Sequence, residues 1–288
     1  MKHLISILLL TSVLMACSSS SKNTEDSSGI VIYQQEDKEI LNTIFELFGD
    51  QQDAPASALV VRIGTFFKGT PYVGHTLESD KEQLIVNLRE LDCTTYAENC
   101  LAIAKTIQSG ILTFDKFTEE LIRVRYRNGI IAGYPSRLHY FSDWIYNNKK
   151  KLIVKDVGEE LEIAHYGSEV NFMSTHPESY YRLKDNRKMV KEIAHLENII
   201  SKRSMYYIPE DKLSGVEDQL YEGDIVGITT NVEGLDISHV GILVRENGRI
   251  HLMHASSAAK KVVISDITLE DYLLNSESAT GVMVARPI

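Results

Sequence analysis

Residues 239–254 have the sequence HVGILVRENGRIHLMH, in which an Asn-Gly pair separates two apolar runs. Asn-Gly between such runs is the strongest short-range signal of a β-hairpin, because both central residues of its tight turn need a positive φ. With Asn247 and Gly248 at the turn, Glu246 pairs with Arg249. Because Val, Ile, Leu and Met occupy both sides of each strand, we predict a hairpin that is buried on both faces.

Counting outward from this turn brings two histidines together. Gly241 falls opposite His254, and His239 falls opposite Ser256, so the two imidazoles are diagonal neighbours on one face and within side-chain reach. Gly241 has no side chain, and we expect it to leave space for the rings. His251 falls on the opposite face. Buried imidazoles need polar partners, and although one such histidine is usually a core residue, two in register favour a functional site.

Cys93 lies at the start of a predicted helix. Apolar residues recur at helical spacing from Cys93 to about Gln108, and Asp92 is placed as the N-cap. The macrodipole and the unpaired N–H groups at this end favour a thiolate, whereas the charge of Asp92 raises the pKa of the thiol. We therefore expect Asp92 to turn away from the sulfur, to cap the helix or to face a cationic group of a substrate.

The cysteines of the chain are Cys17, Cys93 and Cys100. Cys93 and Cys100 lie on one predicted helix with their Cα atoms roughly 10 Å apart, which is too far for a disulfide. Cys93 is therefore predicted to be a free thiol and Cys100 a small buried core residue. A cysteine hydrolase needs a thiolate, a base and a group that orients the base. Cys93, His239 and His254 can fill these roles in that order.

The N-terminal residues indicate export. A short basic start precedes an apolar run, Leu4 to Met15, which is too short to span a bilayer. The run ends at Ala16 and Cys17, which resembles the lipobox of bacterial lipoproteins, in which the cysteine becomes the lipidated N-terminus. We predict a signal peptide at 1–16 and a lipidated Cys17 with a flexible serine-rich tether up to residue 36. The alternative is an ordinary signal peptide that is cut nearby.

The remainder, residues 37–288, is long enough for one sizeable domain. Its first part has helical patterns, whereas strand patterns follow from Tyr221 onward, which predicts an α+β domain with an antiparallel sheet. A mostly helical insertion is predicted at about 112–215. The hydrophobic content of 43% and the charged content of 24% are typical of globular proteins. The net charge of −10 argues against a nucleic-acid partner.

Together these motifs resemble a known family. Asp92-Cys93 at a helix start, followed by Ser238-His239-Val240-Gly241-Ile242 and a polar residue on the next strand, resembles the NlpC-type papain-like peptidoglycan hydrolases. The further stretches that resemble the N-acetylmuramoyl-L-alanine-amidase-like branch are Gly69-Thr70-Pro71-Tyr72, Asn87-Leu88-Arg89, Cys93-Thr94-Thr95, Arg137-Leu138-His139-Tyr140-Phe141-Ser142-Asp143-Trp144, Asn171-Phe172-Met173-Ser174-Thr175-His176-Pro177 and His254-Ala255-Ser256-Ser257.

The resemblance implies a papain-like core, in which the nucleophile helix packs on an antiparallel sheet, elaborated by helical insertions. It assigns catalysis to Cys93, His239 and His254. It also places Tyr72 beside the nucleophile, where the hydroxyl helps to bind the oxyanion. Thr94-Thr95 stands where the family commonly has Ser-Gly, and this departure favours the amidase branch over cleavage of γ-glutamyl-diamino acid bonds.

The resemblance also implies substrate-binding residues. Asp92 and Ser238 match positions that often touch the substrate peptide. Asn171 and His176 either line the cleft or cap a turn of the chain. Two interpretations stay open for Phe141 and Trp144, as core aromatics or as sugar platforms, and His75 and His139 have no assigned role.

We therefore predict a cysteine amidase that hydrolyses the amide between N-acetylmuramic acid and L-alanine in peptidoglycan fragments, with no metal and no cofactor. We expect a monomer whose partner is peptidoglycan or a muropeptide, held by its lipid anchor at the cell envelope, on the periplasmic or the cell-surface side. One alternative is an endopeptidase that cuts the γ-D-glutamyl-diamino acid bond within the stem peptide. The others are a zinc hydrolase with Cys93, His239 and His254 as ligands and a non-catalytic wall-binding module.

Overall fold

The computed structural model describes residues 23–25 and 29–288. The predicted signal peptide and the predicted lipidation site, Cys17, lie outside the described residues and stay predictions. The described chain has mixed α and β structure. Most helices precede the main strands, as predicted, and the strands of the larger sheet pair antiparallel.

All α-helices of the described chain except the last lie before residue 220. The α-helices are Gln35–Phe48 (α1), Ala56–Phe66 (α2), Cys93–Gln108 (α3), Phe114–Arg125 (α4), Phe141–Lys150 (α5), Val157–Leu161 (α6), Phe172–Thr175 (α7), Arg187–Ser201 (α8), Leu213–Val216 (α9) and Leu269–Leu274 (α10). Within the part of the chain that the structure describes, none of the helices has the length and apolar character that a membrane span requires.

The strands form a small sheet and a large one. They are Thr24–Glu25 (β1), Val31–Tyr33 (β2), Leu84–Ile85 (β3), Val154–Asp156 (β4), Ala164–His165 (β5), Tyr206–Pro209 (β6), Ile225–Thr230 (β7), Ile237–Glu246 (β8), Arg249–Ser256 (β9), Lys261–Thr268 (β10) and Ala279–Pro287 (β11). The large sheet has the order β10-β9-β8-β7-β11-β6-β5, with β4 paired to β11. The small sheet has the order β1-β2-β3, and its β2–β3 pair is parallel.

The hairpin of β8 and β9 forms in the predicted register. Its ladder begins with Glu246 opposite Arg249 and ends with Ile242 opposite Met253. The two turn residues have φ values of 52° and 83°, as a turn of this kind requires. The central residues of both strands are buried, so the prediction of a hairpin covered on both faces is confirmed.

Helix α3 runs through the core, where α2, α4, β8 and β9 pack around it. Helix α2 comes so close at Gly64 that a Cβ atom there would lie 2.5 Å from the Tyr96 hydroxyl. Glu98 of α3 and Arg125 of α4 are almost fully buried and form an ion pair with an Nε–Oε2 distance of 2.6 Å. Because neighbours hold α3 on several sides, the position of Cys93 at its first turn is fixed by the core.

The segment at about 112–215 contains several helices, as predicted, but it also contributes strands to the large sheet. Strands β4 and β6 both pair with β11, and β5 pairs with β6. These strands are two to four residues long, which is too short for an alternating pattern to be detected in the sequence. The division of residues 37–288 into a core and an insertion stays a prediction.

Candidate active site

Asp92 caps helix α3 and thereby defines where the helix begins. Asp92 Oδ1 accepts a hydrogen bond from the Thr95 N–H at 2.7 Å, and Thr95 Oγ1 accepts one from the Asp92 N–H at 2.9 Å. This reciprocal arrangement is a capping box, which satisfies donors that a helix start otherwise leaves unpaired. The expectation that Asp92 caps the helix is confirmed. Cys93 follows as the first helical residue, and both Cys93 and Cys100 are free thiols.

The environment of Cys93 favours the protonated thiol. Burial, followed by the negative charge of Asp92, raises the pKa of Cys93 to about 11, and hydrogen bonds from Val240 and Thr94 offset only part of this effect. The expectation that the helix start produces a thiolate is therefore wrong for this structure, because desolvation of the charged sulfur outweighs the nearby N–H groups. A base must take up the proton when this sulfur reacts.

The imidazoles of His239 and His254 are in direct contact. His239 Nε2 and His254 Nδ1 are 2.5 Å apart, and the rings stand nearly perpendicular, with an interplanar angle of 85°. The predicted placement of both rings on one face is confirmed. In the tautomer in which His239 Nε2–H donates to His254 Nδ1, the other ring nitrogen of His239, Nδ1, is the proton acceptor. Burial and then the neighbouring His254 lower the pKa of His239 to about 3, so its ring is neutral at ordinary pH.

Gly241 serves a different purpose from the one expected. A Cβ atom at Gly241 would lie 2.4 Å from Leu252 Cδ1, so the missing side chain makes room for Leu252 of the partner strand and not for the two rings. The counted pairs of Gly241 with His254 and of His239 with Ser256 lie beyond the last pair of the ladder. The imidazoles therefore meet where β8 and β9 are no longer paired.

The same end of the ladder connects the histidines to the thiol. Val240 lies beyond the last β8–β9 pair, and its backbone N–H is close enough to Cys93 to lower the pKa of the thiol. His239 is the preceding residue. The backbone of one strand thus brings the start of α3 next to the histidine pair, and sequence spacing alone gave no indication of this contact.

Tyr72 lies beside the same thiol. Its backbone N–H donates to the Lys260 carbonyl at 2.9 Å, and its segment forms a parallel bridge with Leu91, just before α3. Burial, followed by the charges of Cys93 and Asp92, raises the pKa of the Tyr72 hydroxyl. The hydroxyl therefore keeps its proton and is able to donate it in a hydrogen bond.

Tyr272 is a residue of this site that the sequence analysis missed. Its ring meets that of His254 at 5.8 Å between centroids, with an interplanar angle of 87°. Burial and the charge of Cys93 raise the pKa of its hydroxyl. Tyr272 lies on the short helix α10, where it shares an apolar face with Leu269 and Leu273. That pattern is typical of a core aromatic, and so the sequence contains no signal of a site residue.

Two predicted substrate-binding residues, Ser238 and Asn171, have local partners of their own. Ser238 is exposed, and its hydroxyl lies 3.5 Å from the Ile228 carbonyl. The backbone N–H of Asn171 donates to the Gly234 carbonyl at 3.0 Å. A Cβ atom at Gly234 would lie 2.2 Å from Asn171 Oδ1. Asn171 therefore packs against the loop that leads into β8, and its role in binding stays a prediction.

Three further histidines, His176, His139 and His75, have different local surroundings. His176 Nδ1 lies 3.0 Å from the Thr175 hydroxyl, and its ring stacks on Phe172, which matches the interpretation as a turn cap. His139 is held by the Tyr134 carbonyl, 3.0 Å from its Nε2. His75 is exposed and has a positive φ of 62°.

Metal binding is not supported by the arrangement of donors. Among residues 23–25 and 29–288, no three His, Cys, Asp or Glu side chains are grouped so that they could hold an ion. His239 Nε2 and His254 Nδ1 point at each other across a hydrogen bond, whereas a shared metal requires that both lone pairs point at a common centre.

Removing the charge beside the thiol is expected to make Cys93 more acidic. An Asp92→Asn substitution keeps a good N-cap but removes the carboxylate that raises the pKa of Cys93. The pH at which iodoacetamide alkylates Cys93 at half its maximal rate should therefore move to lower pH. The matched control is Glu90→Gln, which makes the same change in charge two residues earlier in the chain. An unchanged midpoint in Asp92→Asn, or equal shifts in both variants, would contradict the assignment.

Comparison with known proteins gives one family and several similar structures. A family model described as AmiA-like, N-acetylmuramoyl-L-alanine amidase-like, matches residues 62–282. An N-acetylmuramoyl-L-alanine amidase from Bacteroides uniformis is similar to this chain, with 36% identity and a TM-score of 0.77 over 81% of this chain and 98% of that chain. A comparison with curated proteins gave no match.

Two further solved structures are similar. A protein from Bacteroides fragilis that is provisionally named a xylanase is 42% identical, with a TM-score of 0.74 over 78% of this chain and 99% of that chain. A Legionella pneumophila protein is 22% identical, with a TM-score of 0.65 over 91% of this chain and 97% of that chain. At that identity the second likeness concerns the fold alone.

Proposed function

Because the chain belongs to the AmiA-like, N-acetylmuramoyl-L-alanine amidase-like family, we propose that it is a cysteine amidase that cleaves the amide between N-acetylmuramic acid and L-alanine in peptidoglycan fragments. The observation that carries the proposal is the contact of Cys93 with the Val240 N–H, next to the hydrogen-bonded pair of His239 and His254. A thiol, a base and a group that orients the base are what acyl transfer through a thioester needs.

In the first step, Cys93 Sγ attacks the carbonyl carbon of the lactyl group while its proton passes to His239 Nδ1. Because burial raises the pKa of Cys93 and lowers that of His239, the resting pair is neutral and the proton moves as the C–S bond forms. The resulting oxyanion accepts a hydrogen bond from the Tyr72 hydroxyl, which keeps its proton.

In the second step, the tetrahedral intermediate collapses. His239 returns the proton to the nitrogen of L-alanine, the C–N bond breaks, and the stem peptide leaves as a free amine. Water then attacks the thioester carbonyl and forms a C–O bond while His239 takes one of its protons. The C–S bond breaks as His239 returns that proton to the sulfur, which releases the lactyl carboxylic acid and regenerates the thiol. His254 keeps the His239 ring in one tautomer and orientation, and the Tyr272 ring packs against His254.

Glycoside hydrolysis, which the name of the Bacteroides fragilis protein suggests for that protein, requires a different arrangement. Most such enzymes use two carboxyl groups that flank the scissile bond. The carboxylate whose charge raises the pKa of Cys93 is that of Asp92, and its Oδ1 already accepts a hydrogen bond from the Thr95 N–H. The site therefore favours acyl transfer to the sulfur.

We propose that the fold is papain-like, which the position of Cys93 at the start of a helix packed on an antiparallel sheet supports.

The cellular setting is part of the same proposal. The apolar run that ends at Cys17 supports a lipid anchor at the cell envelope. Muropeptides or peptidoglycan would then meet the enzyme on the periplasmic or the cell-surface side.

Product analysis tests the bond that is cleaved. Incubation with N-acetylmuramoyl-peptides, followed by mass spectrometry, should yield the free sugar acid and the intact stem peptide with an N-terminal L-alanine. Iodoacetamide should abolish the reaction and chelators should not. A product cut within the stem peptide would support the endopeptidase instead. Binding without turnover would support the wall-binding module, and inhibition by chelators alone would support the zinc hydrolase.

A further inference from the structure

Helix α10 presents one aromatic side chain to the histidine pair. Thr268 caps this helix by accepting a hydrogen bond from the Asp271 N–H at 3.1 Å, and the buried side chains of Leu269 and Leu273 pack it against the large sheet. Tyr272 lies between these positions and is half-buried. Because a cap and two buried side chains hold the helix, the position of the Tyr272 ring is fixed as well.

The ring of Tyr272 packs against that of His254. The two ring centroids are 5.8 Å apart and the rings are nearly perpendicular, at 87°, which is a favourable arrangement for an aromatic pair. Burial, followed by the charge of Cys93, raises the pKa of the Tyr272 hydroxyl, and no hydrogen bond is among the causes. The contact with His254 is therefore made by the ring and does not depend on a hydrogen bond of the hydroxyl.

The orientation of His254 has no carboxylate to secure it among the residues that the structure describes. The hydrogen-bond partner of its ring there is His239 Nε2, at 2.5 Å. In a Ser-His-Asp triad, by contrast, an aspartate fixes the tautomer and the orientation of the histidine. The ring of His254 must therefore be held by packing, and Tyr272 is an aromatic side chain that packs on it.

The pair of histidines has apolar neighbours within the sheet. His239 lies opposite Ile228 of β7, and His254 lies opposite Val263 of β10. Burial lowers the pKa of His254 to about 4, and burial followed by His254 lowers that of His239 to about 3. Both rings are neutral because water is kept from them.

The charged groups of the neighbouring elements are not among the causes of these low pKa values. The titratable side chains that the site contains besides the two histidines are those of Tyr72, Asp92, Cys93 and Tyr272. On α10, the Glu270 carboxylate pairs with Arg249, and the Asp271 carboxylate accepts a hydrogen bond from the Thr268 hydroxyl. The state of the histidine pair thus depends on how well its surroundings exclude water.

We propose that Tyr272 is a positioning residue of the amidase, whose ring holds His254 in line with His239 and excludes water from the pair. A fixed His254 keeps His239 in the tautomer whose Nδ1 takes up the thiol proton. A pair that is shielded from water stays neutral and can act as a base. This inference rests on the proposed function, and it assigns the role to the aromatic ring and not to the hydroxyl.

Three variants on α10 test the proposal. Tyr272→Phe keeps the ring and should retain the rate and the pH profile of the wild type. Tyr272→Ala removes the ring and should lower kcat/KM by about 10- to 100-fold, through kcat and not through KM. Because water then reaches the imidazoles, their pKa rises, and the acidic limb of the kcat/KM profile should move to higher pH. Leu274→Ala, at an exposed position of the same helix, should change neither quantity.

A further variant covers the case in which Tyr272→Ala does not fold. Tyr272→Leu keeps apolar volume without a flat ring, and its acidic limb should move in the same direction. NMR of the histidine ring nitrogens supplies a measurement without substrate: His254 should show one tautomer in the wild type and in Tyr272→Phe, and an average of two in the variants without a ring.

Two results would overturn the inference while the amidase proposal stands. One is a pH limb and a His254 tautomer that stay unchanged in the folded variants without a ring, and the other is a loss in Tyr272→Phe as large as that in Tyr272→Ala. Failure of the wild type to cleave muropeptides would overturn the proposed function instead, and the NMR measurement would still decide whether the ring orients His254.

Discussion

Replacing Cys93 with alanine is expected to lower kcat/KM for muropeptide hydrolysis by about 10⁴- to 10⁶-fold, because the loss of a nucleophile removes the whole covalent route. The substitution deletes one partly buried sulfur atom at a helix start whose cap, Asp92, is unchanged. The fold should therefore survive, and the thermal unfolding midpoint should change little. Rates are measured with the wild type and the variant on the same muropeptide by mass spectrometry.

The matched control is the other free thiol of the described chain, Cys100. Cys100→Ala removes the same atom from a fully buried position on the same helix, and it should reduce the free energy of unfolding by about 1 kcal/mol without loss of activity. Hydrolysis at the wild-type rate by the Cys93→Ala protein would contradict the cysteine mechanism. Equal losses of activity in both variants would indicate that the helix, and not the sulfur, had been disturbed.

Local signals in the sequence predicted the parts of the fold around Cys93 well. Asp92 could be recognised as an N-cap because it directly precedes the apolar helical pattern that begins at Cys93, and α3 begins and ends as predicted. The hairpin register followed from Asn247-Gly248, since a two-residue turn leaves one way to pair the strands. The contact of His239 with His254 is a direct consequence of that register.

Long-range features could not be predicted in the same way. Strands β4 and β6 pair with β11, which is distant from both in the sequence, and they are three and four residues long, so they carry no detectable alternation. Tyr272 meets His254 only because α10 packs beside β9 and β10. Its spacing in the sequence is that of an ordinary core residue.

The protonation state of the Cys93 thiol could not be predicted from the sequence either. The sequence identifies a helix start and a neighbouring carboxylate at Asp92, but not how deeply the sulfur of Cys93 is desolvated. Burial is the largest cause of its raised pKa, and burial is a property of the packed structure. The expectation of a resting thiolate is therefore replaced by a neutral thiol that depends on a base.

That dependence makes His239 the second residue whose loss should be severe. His239→Gln keeps a polar side chain of similar length but has no basic nitrogen, and kcat/KM is expected to fall by about 10⁴- to 10⁶-fold. Since this variant has no base to take up the thiol proton as the sulfur reacts, iodoacetamide should also alkylate Cys93 more slowly at neutral pH than in the wild type. This second measurement needs no substrate and so does not depend on which bond the enzyme cleaves.

The pH profile distinguishes the role of His239 from that of His254. A base acts in its neutral form, which is present above its pKa, and burial followed by His254 lowers the pKa of His239 to about 3. The acidic limb of the kcat/KM profile should therefore lie well below pH 6.5, where an unperturbed histidine titrates. His254→Gln removes the neighbouring imidazole that opposes protonation, so the limb should move to higher pH, with a smaller rate loss than in His239→Gln. An acidic limb that stays in place in His254→Gln would contradict the coupling of the two rings, and a wild-type limb near pH 6.5 would contradict a buried base.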